Sequence, residues 1–147
     1  MWRGPPYARS VIVVVDVANV LGSRPDGWWR DPAAAAGRLL DRLARLPGSE
    51  VAGPDGAALV IERLIAVLEG AARAVPATSG GAVEVVRAER DGDAAIVALV
   101  GELTTGAKGP ARPVDVLVIT ADRGLRQRLS HDVRAAGPNW LNGLIGR

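Results

Sequence analysis

Two long apolar runs constrain the fold of this chain, and an acid lies at or just beyond the end of each. The first run, SVIVVVDV, covers residues 10–17, and the second, VDVLVIT, covers residues 114–120. Continuous runs of β-branched residues are typical of parallel strands that helices cover on both faces. We therefore expect both runs to be buried strands of one open sheet, with the first in its middle.

The rest of the chain alternates between helical and strand-like patterns. Helices are predicted over residues 31–46, 91–105 and 122–133, with a short final helix in 137–147 that packs on the core. Strands are predicted around Leu64–Leu68 and over residues 82–88, although residues 58–74 also suit one helix. Loops are expected at 18–30, 47–58 and 108–113, and a frayed lead-in at 1–9. This order predicts a single α/β domain over residues 1–147, a three-layer sandwich with a mostly parallel central sheet.

The composition excludes several kinds of chemistry. The 147 residues include no cysteine and one histidine, His131, so thiolate nucleophiles, disulfides and cysteine-based zinc sites are ruled out. The net charge is only +2, but residues 123–147 carry five arginines against one acid, which favours a local basic patch. The apolar run in 11–15 is too short to span a bilayer, and we expect a cytoplasmic protein without a membrane partner.

Four acids occur where strands end or helices begin, namely Asp16, Glu69, Asp93 and Asp122. In an open α/β sheet, ligands bind beyond the carboxyl ends of the strands, so these side chains are expected to converge there. Converging carboxylates favour a hard cation. Taken one at a time, Asp16 also suits a loop cap, Asp93 and Asp122 suit helix N-caps, and Glu69 suits an exposed surface position.

Four segments resemble the PIN-like nucleases of the NYN type. They are VVVDVANVLGSRPDGWW, VLEGAAR, R-x-x-x-x-G-D-x-A-I-V and VITADRGLR, and their order and spacing cover nearly the whole chain. The resemblance implies a Rossmann-like sandwich and cleavage of RNA or flap-type substrates with Mg²⁺ or Mn²⁺. It also implies that Asp16, Asp93 and Asp122 bind the metal with support from Glu69. Asn19 and Thr120 would support these ligands or position the phosphate.

The residues also suggest how RNA, single-stranded or structured, would be held. Arg123 and Arg126 are candidates for bidentate contacts to a phosphate. Trp28 and Trp29 lie in the loop after the first strand, between Arg24 and Arg30, and are candidates for stacking on unpaired bases or for covering the following helix. His131 is expected on the surface, and a second copy of the chain is a further candidate partner.

One departure from the family pattern leaves an alternative function open. Such nucleases commonly carry a second acid beside the one in the third motif, and this chain has Ala94 there. Asp91 lies two positions before Asp93, and helix geometry is expected to direct it elsewhere. The alternative is a catalytically weakened module that binds nucleic acid or a protein partner. A phosphotransfer receiver domain and a dinucleotide-binding Rossmann domain fit less well, because their characteristic aspartate, lysine and glycine patterns are missing.

Overall fold

The computed structural model describes residues 8–76, 81–105 and 115–147. Its strands are β1 Arg9–Asp16, β2 Glu50–Ala52, β3 Ala58–Leu68, β4 Glu84–Arg87, β5 Asp115–Ile119 and β6 Arg134–Ala136. Its α-helices are α1 Val17–Gly22, α2 Pro32–Leu43, α3 Gly92–Thr105, α4 Arg123–Arg128 and α5 Pro138–Ile145. Short 3-10 helices cover Trp28–Arg30 and Gly70–Ala74. Most of the expected lead-in and the connection at 108–113 lie outside the described residues.

The strands form one mostly parallel sheet with β1 at its centre. β1 pairs in parallel with β3 on one side and with β5 on the other. Beyond them, β6 runs parallel to β5, while β4 runs parallel to the second half of β3 and β2 antiparallel to its first half. The continuous apolar run of β1 suits this central position, because helices cover both of its faces.

Helices cover the two faces of the sheet, and the sheet separates two apolar cores. Val11, Val13 and Val15 of β1 point into the core beneath α1, α2 and α5. Ile12 and Val14 point into the core beneath α3 and α4. The predicted three-layer α/β sandwich is therefore confirmed. In the described part of the chain, no helix has both the length and the apolar character needed to cross a membrane.

The expected loop after the first strand contains a helix. Helix α1 begins directly at the end of β1, where the Asp16 carboxylate caps it by accepting the backbone N–H of Asn19 at 3.4 Å. Val17, Val20 and Leu21 are buried, and their spacing is that of a helical face. The loop prediction was wrong here because glycine, proline and aspartate immediately downstream dominate the local composition.

Two short strands were also not predicted. β2 lies within the expected loop at 47–58, and β6 follows α4, which ends at Arg128 rather than at residue 133. Each of these strands has three residues and is held by hydrogen bonds to another strand: β2 forms a hairpin with β3 across the turn at 53–57, and β6 pairs with β5 across α4. Such edge strands leave no periodic pattern of their own. The ambiguous segment at 58–74 forms strand β3 over Ala58–Leu68 and a 3-10 helix over Gly70–Ala74, not one long helix.

Helix α5 packs on the core, as its apolar spacing predicts. Leu141 and Ile145 are buried, and Trp140 and Leu144 pack against the same core. The Trp140 indole N–H donates to the carbonyl of Ala52 in β2 at 2.9 Å. These contacts join the end of the chain to the sheet edge.

Replacing Leu141 by alanine should lower the free energy of unfolding by about 2–5 kcal/mol, because it leaves a cavity in a packed core. Leu141 is 0% exposed, so little of the lost contact can be replaced by water. The half-buried Leu144→Ala serves as the control and should cost less. Urea unfolding of the three proteins measures both effects, and equal losses would mean that α5 does not pack as described.

Candidate functional site

The alternation of side chains along the strands brings three polar residues to one face at the carboxyl edge of the sheet. Asp16, Glu69 and Thr120 each continue the side of their strand that faces α3 and α4. The apolar residues preceding them on that side are Ile12 and Val14, Ile65 and Val67, and Val116 and Val118. Because β1, β3 and β5 are parallel neighbours, the polar residues that end them meet at the same edge.

Asp16 is the buried member of this group. It is 5% exposed, and its second carboxylate oxygen accepts the Thr120 hydroxyl at 2.9 Å. Burial raises the pKa of Asp16 to about 6, the hydrogen bonds from Thr120 and Asn19 oppose that rise, and repulsion from Asp93 and Glu69 adds to it. The site therefore holds a carboxylate that ionises close to neutral pH.

Thr120 connects the end of β5 to the following helix. Its hydroxyl donates to Asp16 and accepts the backbone N–H of Asp122 at 3.1 Å. Its carbonyl accepts two hydrogen bonds from the Arg126 guanidinium, at 3.0 and 2.7 Å. Arg126, a candidate phosphate ligand, thus holds the turn that orients Thr120.

Asn19 and Asp122 fix the same turn from its other side. The Asn19 side-chain oxygen accepts the backbone N–H of Ala121 at 2.8 Å, so α1 is joined to the segment after β5. Asp122 caps α4 through one carboxylate oxygen, which accepts the N–H of Leu125 at 3.0 Å. Asp122 therefore caps a helix, as expected. Asn19 supports the site by holding the backbone of the turn after β5.

The segment at the start of α3 contains a helix-capping residue and a glycine that lies against Glu69. Asp91 caps α3 by accepting the N–H of Ala94 at 2.7 Å, so Asp91 and not Asp93 is the capping residue. Glu69 accepts the N–H of Gly92 at 2.9 Å, and a Cβ atom at Gly92 would lie 3.1 Å from the Glu69 carboxylate. Glycine at position 92 therefore allows the end of β3 to contact the start of α3.

Asp93 follows this contact in the first turn of α3 and is half-buried. Partial burial raises its pKa, and repulsion from Asp122, Glu69 and Asp91 raises it further, while the Arg128 guanidinium opposes the shift. Asp93 thus interacts electrostatically with Asp16, Glu69 and Asp122. We call these four residues the acidic edge.

The acidic edge is looser than the predicted ligand cluster. Within residues 8–76, 81–105 and 115–147, no group of three acidic or histidine side chains is arranged to hold a metal ion. The carboxylate chemistry nevertheless suits Mg²⁺, which commonly keeps several waters and takes only one or two protein carboxylates together with substrate phosphates. Asp16 and Asp93 could supply two such ligands, whereas a fully protein-built cage is not formed.

The candidate nucleic-acid contacts divide into buried and exposed groups. Trp28 packs against the core, whereas Trp29 is 53% exposed and meets Trp28 edge to face at 6.1 Å between ring centroids. Trp29 is therefore better placed than Trp28 to stack on a base. Arg123 and His131 are exposed. Arg24 is half-buried and donates to the carbonyl of Ser23 and the side chain of Asn139.

Comparison with known proteins identifies the fold but no family. No protein-family model matches the chain, and no curated protein matches its sequence. The chain is similar to the crystal structure of Rae1 (YacP) from Bacillus subtilis, with a TM-score of 0.63 and 18% sequence identity. The match covers 92% of this chain and 75% of the other. The likeness supports the same α/β fold, a mostly parallel sheet flanked by helices.

The raised pKa of Asp16 predicts a measurable pH dependence. Because the folded protein binds a proton at Asp16 more tightly than the unfolded chain, the free energy of unfolding should fall as the pH rises from about 4 to 6. At about 1.4 kcal/mol per pKa unit, the contribution of this residue is roughly 3 kcal/mol. In Asp16→Asn, the free energy of unfolding should therefore depend less on pH between about 4 and 6.

Urea unfolding at several pH values in metal-free buffer tests this expectation. The exposed Asp41→Asn is the control, and its pH dependence should match that of the wild type. An Asp16→Asn protein with the wild-type slope between pH 4 and 6 would show that Asp16 does not titrate near 6.

Proposed function

We propose that the protein is a metal-dependent nuclease of the PIN-like, NYN type that hydrolyses RNA phosphodiester bonds at the acidic edge. The observation that carries the proposal is the buried Asp16 carboxylate, held by Thr120 and Asn19 beside Asp93 and Glu69. A buried carboxylate with other acids nearby is costly unless a cation compensates it. The position at the carboxyl edge of an open α/β sheet, a fold shared with Rae1, supports a ligand site there.

The side chains have distinct tasks in this proposal. Asp16 and Asp93 hold the cation, Asp122 is a third candidate ligand, and Glu69 supports Asp93 through its contact with Gly92. A bound Mg²⁺ or Mn²⁺ would neutralise charge on the scissile phosphate and favour ionisation of the attacking water. The chain itself orients the carboxylates, because the Thr120 hydroxyl fixes Asp16.

The substrate is proposed to be RNA, bound mainly through its phosphates. Arg123 stands exposed at the start of α4, directly after Asp122, and is available for a phosphate contact. Trp29 offers an exposed ring for a base. Arg126 contributes indirectly through the Thr120 carbonyl.

The alternative is a catalytically weakened module that binds nucleic acid or a protein partner. Ala94 favours it, because a second acid is missing from the first turn of α3. The Asp91 carboxylate is engaged in capping that helix and does not take the missing position. The loose arrangement of the acids in the described residues also favours this alternative.

Divalent metal should raise the melting temperature, because an ion that binds only the folded state stabilises it and relieves repulsion among the acids. At a concentration tenfold above Kd the shift should be about 5 °C. Asp16→Asn should remove most of it, and Asp41→Asn should retain it. Calorimetry with Mg²⁺ or Mn²⁺ against equal ionic strength of Na⁺ checks this, and an unchanged wild-type curve would favour the binding module.

The protein with Mn²⁺ should cleave single-stranded RNA, and Asp93→Asn should abolish cleavage while RNA binding stays largely intact. Removing a metal ligand eliminates the ion that activates water, whereas affinity comes mainly from arginine contacts and falls with salt. Because Ala94 replaces an acid, we expect slow turnover and a preference for Mn²⁺. Gel analysis of a labelled oligonucleotide measures cleavage.

Asp91→Asn is the matched control. It removes the same charge two positions away, and asparagine caps a helix about as well as aspartate, so cleavage should persist. If RNA stays intact but binds in a salt-dependent way, with wild type and Asp93→Asn alike, the protein is the binding module instead.

A further inference from the structure

A groove of about 630 Å³ lies beside the acidic edge, between α1 and the start of α5. Its volume is within the roughly 300–1,000 Å³ of typical ligand sites. We call it the α1–α5 groove. It is lined by Ala18, Asn19, Gly22, Ser23, Arg24, Ala121, Gly137, Pro138 and Asn139.

The α1–α5 groove is continuous with the acidic edge. Asn19 and Ala121 line it and are hydrogen-bonded to each other at 2.8 Å. The backbone N–H of Asn19 also donates to Asp16, and Ala121 directly precedes Asp122. The groove and the acidic edge therefore share the start of α1 and the turn after β5.

Arg24 gives the groove its charge. It is the one ionisable residue among those that line the groove. Its guanidinium donates to two neutral oxygens at long distances, 3.4 Å to the Ser23 carbonyl and 3.3 Å to Asn139. Among the described residues no carboxylate pairs with it, whereas Arg147 pairs with Asp26 at 3.2 Å. The positive charge of Arg24 is therefore available to an anion.

Small residues leave the groove open to a bulky backbone. A Cβ atom built at Gly22 or at Gly137 would meet no atom within 4 Å. We propose that this groove binds the sugar-phosphate backbone of single-stranded RNA next to the scissile bond, with a phosphate on Arg24 and Asn139. The proposal rests on the nuclease function in its choice of ligand, and charge complementarity and continuity with the acidic edge support it.

The first test measures RNA binding separately from cleavage. Fluorescence anisotropy with a labelled single-stranded oligonucleotide in EDTA should show affinity about tenfold weaker for Arg24→Gln. The slope of log affinity against log salt should become shallower by about 0.7, the value for one phosphate contact on a single strand. The exposed Arg45→Gln, with the same loss of charge, should bind like the wild type. Equal losses from both variants would overturn the proposal in favour of a general charge effect.

A second pair of variants places a side chain of similar size in the groove, once with and once without a negative charge. Gly22→Glu places an acid in the groove and should weaken binding more than Gly22→Gln, because only the glutamate opposes a phosphate. Both side chains enter open space, and thermal melting will show that both proteins fold. Unchanged binding by Gly22→Glu would mean that RNA does not occupy the groove, and the proposal would be wrong.

The outcomes separate this proposal from the nuclease function. If the wild type leaves RNA intact with Mn²⁺ but Arg24→Gln weakens binding, the groove proposal is supported and the nuclease proposal is wrong. If the wild type cleaves RNA while Arg24→Gln has unchanged KM and affinity, the nuclease function stands and the groove proposal is wrong.

Discussion

The hydrogen bond from the Thr120 hydroxyl to the buried Asp16 carboxylate organises the site. Asp16 ends the central strand inside a packed sandwich, where an uncompensated carboxylate would be costly. Thr120 ends the adjacent parallel strand and meets Asp16 at 2.9 Å. Arg126 holds the Thr120 carbonyl, and Asn19 holds the next residue through its backbone N–H. Two strand ends and two helix starts are thereby fixed relative to one buried charge.

The buried Asp16 carboxylate also lowers the stability of the fold. Burial and the neighbouring acids raise the pKa of Asp16, so the carboxylate is destabilising once it ionises. An arrangement that is unfavourable by itself and suited to a cation is common at functional sites.

The elements that follow a local pattern were predictable from the sequence, and those that depend on pairing with another strand were not. Strands β1 and β5 are continuous apolar runs, and helices α2 and α3 show helical spacing of their apolar residues. The position of the acids at one edge of the sheet was also predictable, because the carboxyl ends of parallel strands lie at the same edge. Strands β2 and β6 are stabilised by hydrogen bonds to β3 and β5, which no local pattern records. Likewise, the roles of Arg126 and Gly92 depend on turns that bring distant backbone groups within reach. Trp28 and Trp29 are adjacent in sequence, yet only the geometry of their 3-10 helix decides which ring is exposed.

The large sequence separation within the site has a consequence for the growing chain. Asp16 and Thr120 are 104 residues apart, and Asn19 and Ala121 are 102 apart. During synthesis β1 and β3 are complete well before β5, so their pairing can precede the arrival of Thr120. A nascent chain at that stage has Asp16 at an open strand edge without its hydroxyl partner. Any activity that depends on this contact therefore appears only after β5 has been made and has docked beside β1.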